Sequence, residues 1–401
     1  MLELKPILNS LKQHKSATLL TILQIAITFA VVVNAISIIN QRLDLMARDS
    51  GLAESEMLAF NINPFGEGYD IEHNYKADMA MLRSMPGVID AVITNAVPMS
   101  GSGSNTDVAE SQRKFDDRQR LASGIFRGDN HFLNTFGIKL LSGRNFTQDE
   151  VIYTKEFANP NVVLITKSLA DKVYTDGSPL GKQIYFWGIN ATVIGIIETM
   201  AGPWPSSSIF MDNLIHPVMA LNNFGRVVVR VEETEMQNLL GEVEKKLLDR
   251  NPNRVITAIR SIKEIKKRSY SSDYAMTQIL WIVISLLVLI TSLGIVGIVS
   301  FNVSQRTKQI GIRRALGATK TDIMGYFITE NILITGFGIF IGAVTTVLLN
   351  SYLVSDFQLT AVHWSYIPIG AIVMLSTGIL SVWAPARKAS RVSPSVATQA
   401  I

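Results

Sequence analysis

The sequence predicts an α-helical membrane protein with four transmembrane helices and one large α+β domain outside the cytoplasm. Three observations carry that expectation. Four segments are long and apolar enough to cross a bilayer. Lys and Arg gather in alternate flanks of those segments. About 235 residues, 41–275, separate the first two segments and have the turn-rich composition of a water-exposed domain.

The first apolar segment runs from Thr18 to Ile39, the second from Ile279 to Phe301, the third from Phe327 to Leu349 and the fourth from Tyr366 to Trp383. At about 1.5 Å per residue each spans a hydrocarbon core of about 30 Å. None contains Asp, Lys or Arg, and Glu330 sits near one end of the third. A signal peptide is the alternative for the first. Its apolar run exceeds the roughly 7–15 residues of a signal core, and no convincing small-x-small cleavage site follows, so an uncleaved anchor is expected.

Lys5, Lys12 and Lys15 precede the first span. Arg306, Lys308, Arg313, Arg314 and Lys320 lie between the second and third, and Arg387, Lys388 and Arg391 follow the fourth. The turn between spans three and four carries only Asp356. Positive flanks stay inside, so both termini are expected in the cytoplasm. The expected order is a cytoplasmic segment (1–17), a span (18–40), the outer domain (41–275), a span (276–303) and a cytoplasmic segment (304–322). A span (323–350), a short outer turn (351–365), a span (366–385) and a cytoplasmic tail (386–401) complete it. The net charge of +4 divides into +2 for 1–40, −3 for 41–275 and +5 for 276–401. The basic balance thus reports topology and gives no support to nucleic-acid binding.

The two ends of the outer domain look alike. Met57–Ile62 reads as a strand, and Asp70–Met85 as a helix with Ile71, Tyr75, Met79 and Leu82 on one face. Val88–Val97 is a second strand. Near the far end, Arg226–Val231 is a strand and Thr234–Asp249 a helix buried through Met236, Leu239, Leu240, Val243 and Leu247. Arg254–Ile259 is the next strand. Two β-α-β units from opposite ends of one segment predict a single ferredoxin-like layer. The stretch between, about 120–212, is then a strand-rich inserted lobe with strands at Asn161–Thr166, Lys182–Phe186 and Ala191–Ile197 and a helix at Lys167–Tyr174. Residues 100–105, SGSGSN, read as a flexible loop, and Ser261–Tyr274 as a helix running on into the second span.

Catalytic and cofactor motifs fail. Gly181-Lys182 has Asp176 and Gln183 where a phosphate-binding loop needs Gly and Ser or Thr, so it reads as a turn opening a strand. His14, His73, His131, His216 and His363 lack ligand spacing, and there is no cysteine for a disulfide, thiolate site or nucleophile. Asn145-Phe-Thr147 and Asn190-Ala-Thr192 match glycosylation sequons, but matches this short arise by chance. With no nucleophile–base pair to name, an enzyme is not expected.

The informative stretch is 304–320, SQRTKQIGIRRALGATK. It is basic, with Ile312 and Leu316 four residues apart and Ile323 seven further on. As a helix it would lie on the inner membrane surface, apolar side down. The plainer reading is a positively charged inner loop touching anionic lipid. Glu330 either snorkels at the inner surface or bonds across to this segment. Gly338 and Gly342 form a Gly-x-x-x-Gly pair that allows close helix approach, within the chain or in a dimer, with the first favoured.

The string QRTKQIGIRRALGAT resembles the signature of the MacB/FtsX superfamily of ABC permeases. The resemblance continues into ITENILITGFGIFIG and ends in PARKASRVSPSVA. In the outer domain FLNTFGIKLLSGRNF, NVVLITKSLADKVY and SPLGKQIYFWGINATVIGII are similar to a MacB periplasmic core and stand in the same order. Gln309 departs from the Glu usual in that family, which weakens any specific acidic contact there.

The resemblance implies a non-catalytic permease of the bacterial inner membrane with residues 41–275 in the periplasm. It implies a dimer, with a second copy or a sister permease. A separate ABC ATPase would carry ATP and Mg, with no cofactor bound by this chain. Docking would use Arg306, Lys308, Ile310, Gly311, Arg313, Arg314, Gly317 and Ala318. ATP-driven closure would be transmitted outward to expel peptides, antibiotics or similar molecules with a periplasmic adaptor and an outer-membrane channel. Lipoprotein release, or FtsX-like regulation of cell-wall hydrolases, is the alternative within the superfamily. The spans fit transmission without a wide pore, since none shows a line of ionisable residues.

Overall fold

A computed structural model describes residues 15–156, 158–357 and 362–393, with backbone alone over 352–357. Lys5 and Lys12, part of the turn between the last two spans, and the end of the tail lie outside the described residues. The chain forms two compact units, one from 1–44 with 273–401 and one from 45–272.

In chain order the helix α1 (Lys15–Met46) leads into the second unit, which opens with β1 (Met57–Pro64), α2 (Ile71–Ser84) and β2 (Val88–Thr94). There follow β3 (Ser104–Val108), α3 (Gln112–Asp116), β4 (Leu121–Arg127), α4 (Phe132–Phe136), β5 (Leu140–Gly143) and β6 (Ile152–Thr154). Then come β7 (Val162–Thr166), α5 (Lys167–Val173), β8 (Gln183–Phe186), β9 (Ile189–Ile197), β10 (Asn213–His216) and β11 (Val218–Ala220). The unit closes with β12 (Gly225–Val231), α6 (Met236–Arg250), β13 (Arg254–Ser261) and α7 (Ile262–Ser269). The helices α8 (Ser271–Gln305), α9 (Thr307–Ala315), α10 (Lys320–Phe357) and α11 (Tyr366–Ser390) complete the chain.

The ferredoxin-like layer is present. Its sheet runs β13–β1–β12–β2, with every pair antiparallel. Period-two alternation along β1 sorts its side chains: Leu58, Phe60 and Ile62 pack with Ile71, Tyr75, Met79 and Leu82 of α2 and Met236, Leu239, Val243 and Leu247 of α6. Met57 and Ala59 turn the other way, into a second core with Phe126, Phe132, Phe136, Leu164 and Ile215 of the inserted region. Asp70 caps α2 by accepting from the His73 amide at 3.0 Å.

At the helical end of this layer lies a buried ion cluster. Asp78 and Arg254 are both fully buried and paired, and Arg250 donates through Nε to Asp78 Oδ1 at 2.7 Å. The cluster ties α2 to the end of α6 and the start of β13.

The inserted sheet is wider than 120–212. Its order is β3–β4–β10–β7–β9–β5, with β8 added to β9, so it draws in β3 on one side and β10 on the other. β4 pairs parallel with β10, and a cut at Arg120 and Asp212 would strand β3 and β10 without their partner. Residues 100–105 are only partly a loop, because Ser104 and Asn105 already pair with Ile125 and Gly124.

The expected unbroken helix into the second span is interrupted at Tyr270. A capping box of Ser261 and Glu264 opens α7, and the Tyr270 amide closes it on Lys266 O at 3.1 Å. The Tyr270 ring is buried and its hydroxyl donates to Leu45 O at 3.1 Å. Satisfying that ring takes the backbone out of helical register before α8 begins.

Among the described residues of the first unit four helices are long and apolar enough to cross a membrane. α1 is the inner one: 61% of its most apolar stretch is buried, against 22–28% for the other three. Glycines bring the neighbours close. A Cβ at Gly294 of α8 would meet the Gln24 side chain at 2.8 Å, and one at Gly370 of α11 would meet Val33 at 2.6 Å. Thr28 and Thr291 share a hydrogen bond of 2.9 Å between α1 and α8, and Arg42 pairs with Asp273 at 2.9 Å. Leu293, Phe340 and Leu380 remain more than 60% exposed, which suits lipid contact and would be an unusual apolar surface in water.

Candidate coupling segment

The segment between α8 and α10 is shaped by local backbone chemistry. Arg306 leaves the helical register after α8, with φ −102° and ψ 12°, and α9 starts at Thr307. α9 ends in a Schellman turn. Gly317 adopts φ +101°, its amide donates to Arg314 O at 3.2 Å, and the Ala318 amide donates to Arg313 O at 3.0 Å. A side chain other than glycine is strained at that φ. Thr319 and Asp322 then cap α10: the Thr319 amide donates to Asp322 Oδ2 at 2.8 Å and the Asp322 amide to Thr319 Oγ1 at 3.2 Å.

α9 has an inward and an outward side. Ile310 and Gly311 are buried, and Ile310 joins the bundle core that also contains Ile323 and Phe327. Ile312 is 45% exposed and Leu316 84%, as an apolar side laid on a membrane surface requires, whereas Ile323 of α10 is buried in the bundle. Helical phase explains the difference: Ile310 is two residues from Ile312, about 200° around the axis, and the bundle takes one side only. Lys308, Gln309 and Arg313 are exposed with Ile312 and Leu316.

Arg306 is the link between this segment and the bundle. Its Nη1 donates to Glu330 Oε1 at 3.2 Å and Oε2 at 3.3 Å, and the two side chains are only 11% and 6% exposed. Glu330 therefore bonds across to the segment. A buried pair of this kind holds two helices in one register, since each charge is costly without the other. The two basic residues of the motif differ in use. Arg313 stacks its guanidinium over the Tyr326 ring at 5.0 Å and keeps an exposed side. Arg314 donates to Ala318 O at 2.9 Å and so staples the turn. Tyr326 and the Thr319–Asp322 cap were not singled out from sequence. The T-x-x-D spacing before an apolar run is the signal that finds the cap.

Gly338 and Gly342 face α1. A Cβ at Gly338 would meet Ile25 at 2.6 Å, and one at Gly342 would meet Ala26 O at 2.8 Å and Phe29 at 2.9 Å. Among the described residues no group of His, Cys, Asp and Glu is arranged to hold a metal ion.

Known proteins resemble this chain along most of its length. Residues 18–246 match the MacB-like periplasmic core domain and 281–394 the FtsX-like permease C-terminal domain. The macrolide export ATP-binding/permease protein MacB of Neisseria gonorrhoeae is 25% identical over 392 residues, covering 95% of this chain and 58% of that protein. This chain thus spans little more than half the length of that relative. The uncharacterized ABC transporter permease YknZ of Bacillus subtilis is 23% identical over 408 residues, covering 96% of both. The crystal structure of the periplasmic region of MacB from Actinobacillus actinomycetemcomitans aligns with TM-score 0.35 and 14% identity, over 56% of this chain and 97% of that one. With the core-domain match extending over more than half its length, the chain belongs to the MacB/FtsX family of ABC transporter permeases.

Proposed function

We propose that this chain is the membrane subunit of a mechanotransmission exporter of the MacB type. An ATPase on another polypeptide, carrying ATP and Mg, docks on the outward side of α9. A second copy of this chain or a sister permease completes the pair. Closure of the ATPases moves α9, and the Arg306–Glu330 pair passes that motion to α10. The outer domain then drives efflux of peptides, antibiotics or similar molecules from the periplasm, with an adaptor and an outer-membrane channel. In this reading residues 41–275 lie in the periplasm of a bacterial inner membrane and both ends in the cytoplasm.

The observation that carries the proposal is the division of α9 into a buried anchor at Ile310 and an exposed stripe of Gln309, Ile312, Arg313 and Leu316. An apolar and cationic stripe on a helix fixed to the bundle suits a partner's groove. Arg313→Glu combined with Leu316→Asp is expected to abolish co-purification with the ATPase and export, while the protein still inserts. Normal capture of the ATPase by this double variant refutes docking on α9. Arg314 is left alone in that test because it holds the turn.

The orientation has its own test. A reporter fused after Ile401 should be active only in the cytoplasm, and one inserted at Gly103 only outside. Activity of both on one side of the membrane is incompatible with four spans.

A further inference from the structure

The outer domain contains a cleft of about 300 Å³ that the transmission role does not use. It opens on the face of the ferredoxin-like sheet away from α2 and α6. Sheet register sets two arginines there. Arg226 of β12 lies opposite Asn61 of β1, and Arg260 of β13 lies opposite Ala59. Asn61 and Ala59 are two residues apart and share a face, so both guanidiniums flank β1 on the same side. A third, Arg268, enters from α7, and the loop 97–102 contributes Ser100 and Ser102.

No carboxylate lines this cleft. Among the described residues Arg226, Arg260 and Arg268 are in no ion pair, whereas most other arginines of the domain have one. Arg226 is held in place: it donates to Asn95 O, and its Nη2 donates to Ser102 Oγ at 3.0 Å. Ser102 accepts there and keeps its own proton for a ligand. Burial pushes the Arg226 guanidinium below its ordinary value, a cost that a bound anion offsets. The backbone beside it is shaped as well. β13 carries a bulge opposite Ala59 and Asn61, and Ala258 at that bulge has φ +57°, a conformation few residues other than glycine adopt.

We propose that this cleft binds a phosphate group. Three guanidiniums and the Ser102 hydroxyl outnumber the two oxygens of a carboxylate and suit the several oxygens and higher charge of a phosphate. Apolar walls at Val97 and Ile265 accommodate an organic body on that phosphate. The phosphate belongs either to a phospholipid headgroup or to a soluble phosphate ester. Binding here needs no ATPase, so it can fail or stand independently of the coupling proposal.

The test uses the full chain in detergent micelles. Inorganic phosphate and glycerophosphate are titrated by calorimetry. Phospholipid retained after exposure to vesicles of phosphatidylglycerol in phosphatidylcholine is measured by native mass spectrometry. Arg260→Gln and Arg268→Gln are each expected to weaken binding ~10-fold or more, the loss of one charge-assisted contact. Arg268 is exposed, so its variant reports on the cleft even where Arg260→Gln fails to fold. Arg113→Gln, a change at an exposed arginine on α3, should leave binding unaltered. Retained phosphatidylglycerol that Arg268→Gln releases assigns the site to lipid. Calorimetric binding of the soluble phosphates without retained lipid assigns it to a solute. The proposal is overturned if the wild type binds neither, if Arg268→Gln binds as tightly as wild type, or if Arg113→Gln weakens binding equally.

Discussion

Replacing Glu330 with alanine should loosen the junction that joins α9 to the bundle. The pair it forms with Arg306 is nearly closed to solvent, with side chains 6% and 11% exposed. Removing one member of a buried pair leaves an uncompensated charge and costs about 3–5 kcal/mol. The loss falls at the junction of α8, α9 and α10, so it should appear as a lower melting temperature and as ATP hydrolysis that no longer supports export. Replacing both partners with methionine separates the two effects. An apolar pair of similar volume is close to neutral for stability, so Arg306→Met with Glu330→Met should regain most of the melting temperature and still transmit poorly. A Glu330→Ala protein that melts and exports like the wild type would show that the pair is incidental.

Asp78→Ala is expected to be the most damaging single change in the outer domain. Asp78 is fully buried and receives both Arg250 and the fully buried Arg254. Arg254 would keep its Nε bond to Asn251 O at 2.8 Å, but its charge would have no counterion. A loss of about 3–5 kcal/mol is a large part of the roughly 5–15 kcal/mol that holds a domain folded. Limited proteolysis of the full chain reads it directly, as faster cleavage within 45–272 and unchanged survival of the spans. Cleavage at the wild-type rate would mean that the neighbours absorb the vacancy.

What could be read without coordinates divides along physical lines. The spans were legible because twenty apolar residues in a row have few alternatives. The ferredoxin-like layer was legible because α2 and α6 bury clean stripes and each lies between two apolar runs of strand length. β3 and β4 were missed for opposite reasons. β3 is a polar edge strand, SNTDV, paired on one side only, and β4 carries a Ser-Gly pair at its centre. The break at Tyr270 has no Gly or Pro to announce it, since a buried aromatic ring and its hydroxyl decide it. Which apolar residue of α9 enters the bundle was not legible, because Ile310 and Ile312 point to opposite sides and only contact with Ile323 and Phe327 selects Ile310. The partner of Glu330 was readable only as a direction, toward a segment holding several cations, and geometry selected Arg306.

The inner place of α1 bears on how the protein is made. α1 precedes the outer domain in the chain, and the helices that pack on Gln24, Ile25, Phe29 and Val33 are translated only after that domain. At about 5–20 residues per second that delay is on the order of 10–50 s. For that time the surface later covered by three helices lacks those partners. Some of its polar side chains need nothing from the later helices. Thr21 donates to Ala17 O at 2.9 Å and Asn34 to Ala30 O at 2.8 Å, so both are satisfied within their own helix. Thr28 turns instead to Thr291, a bond that forms only when α8 arrives. The helix at the centre of the bundle thus keeps some of its polar groups paired within itself and holds others for α8.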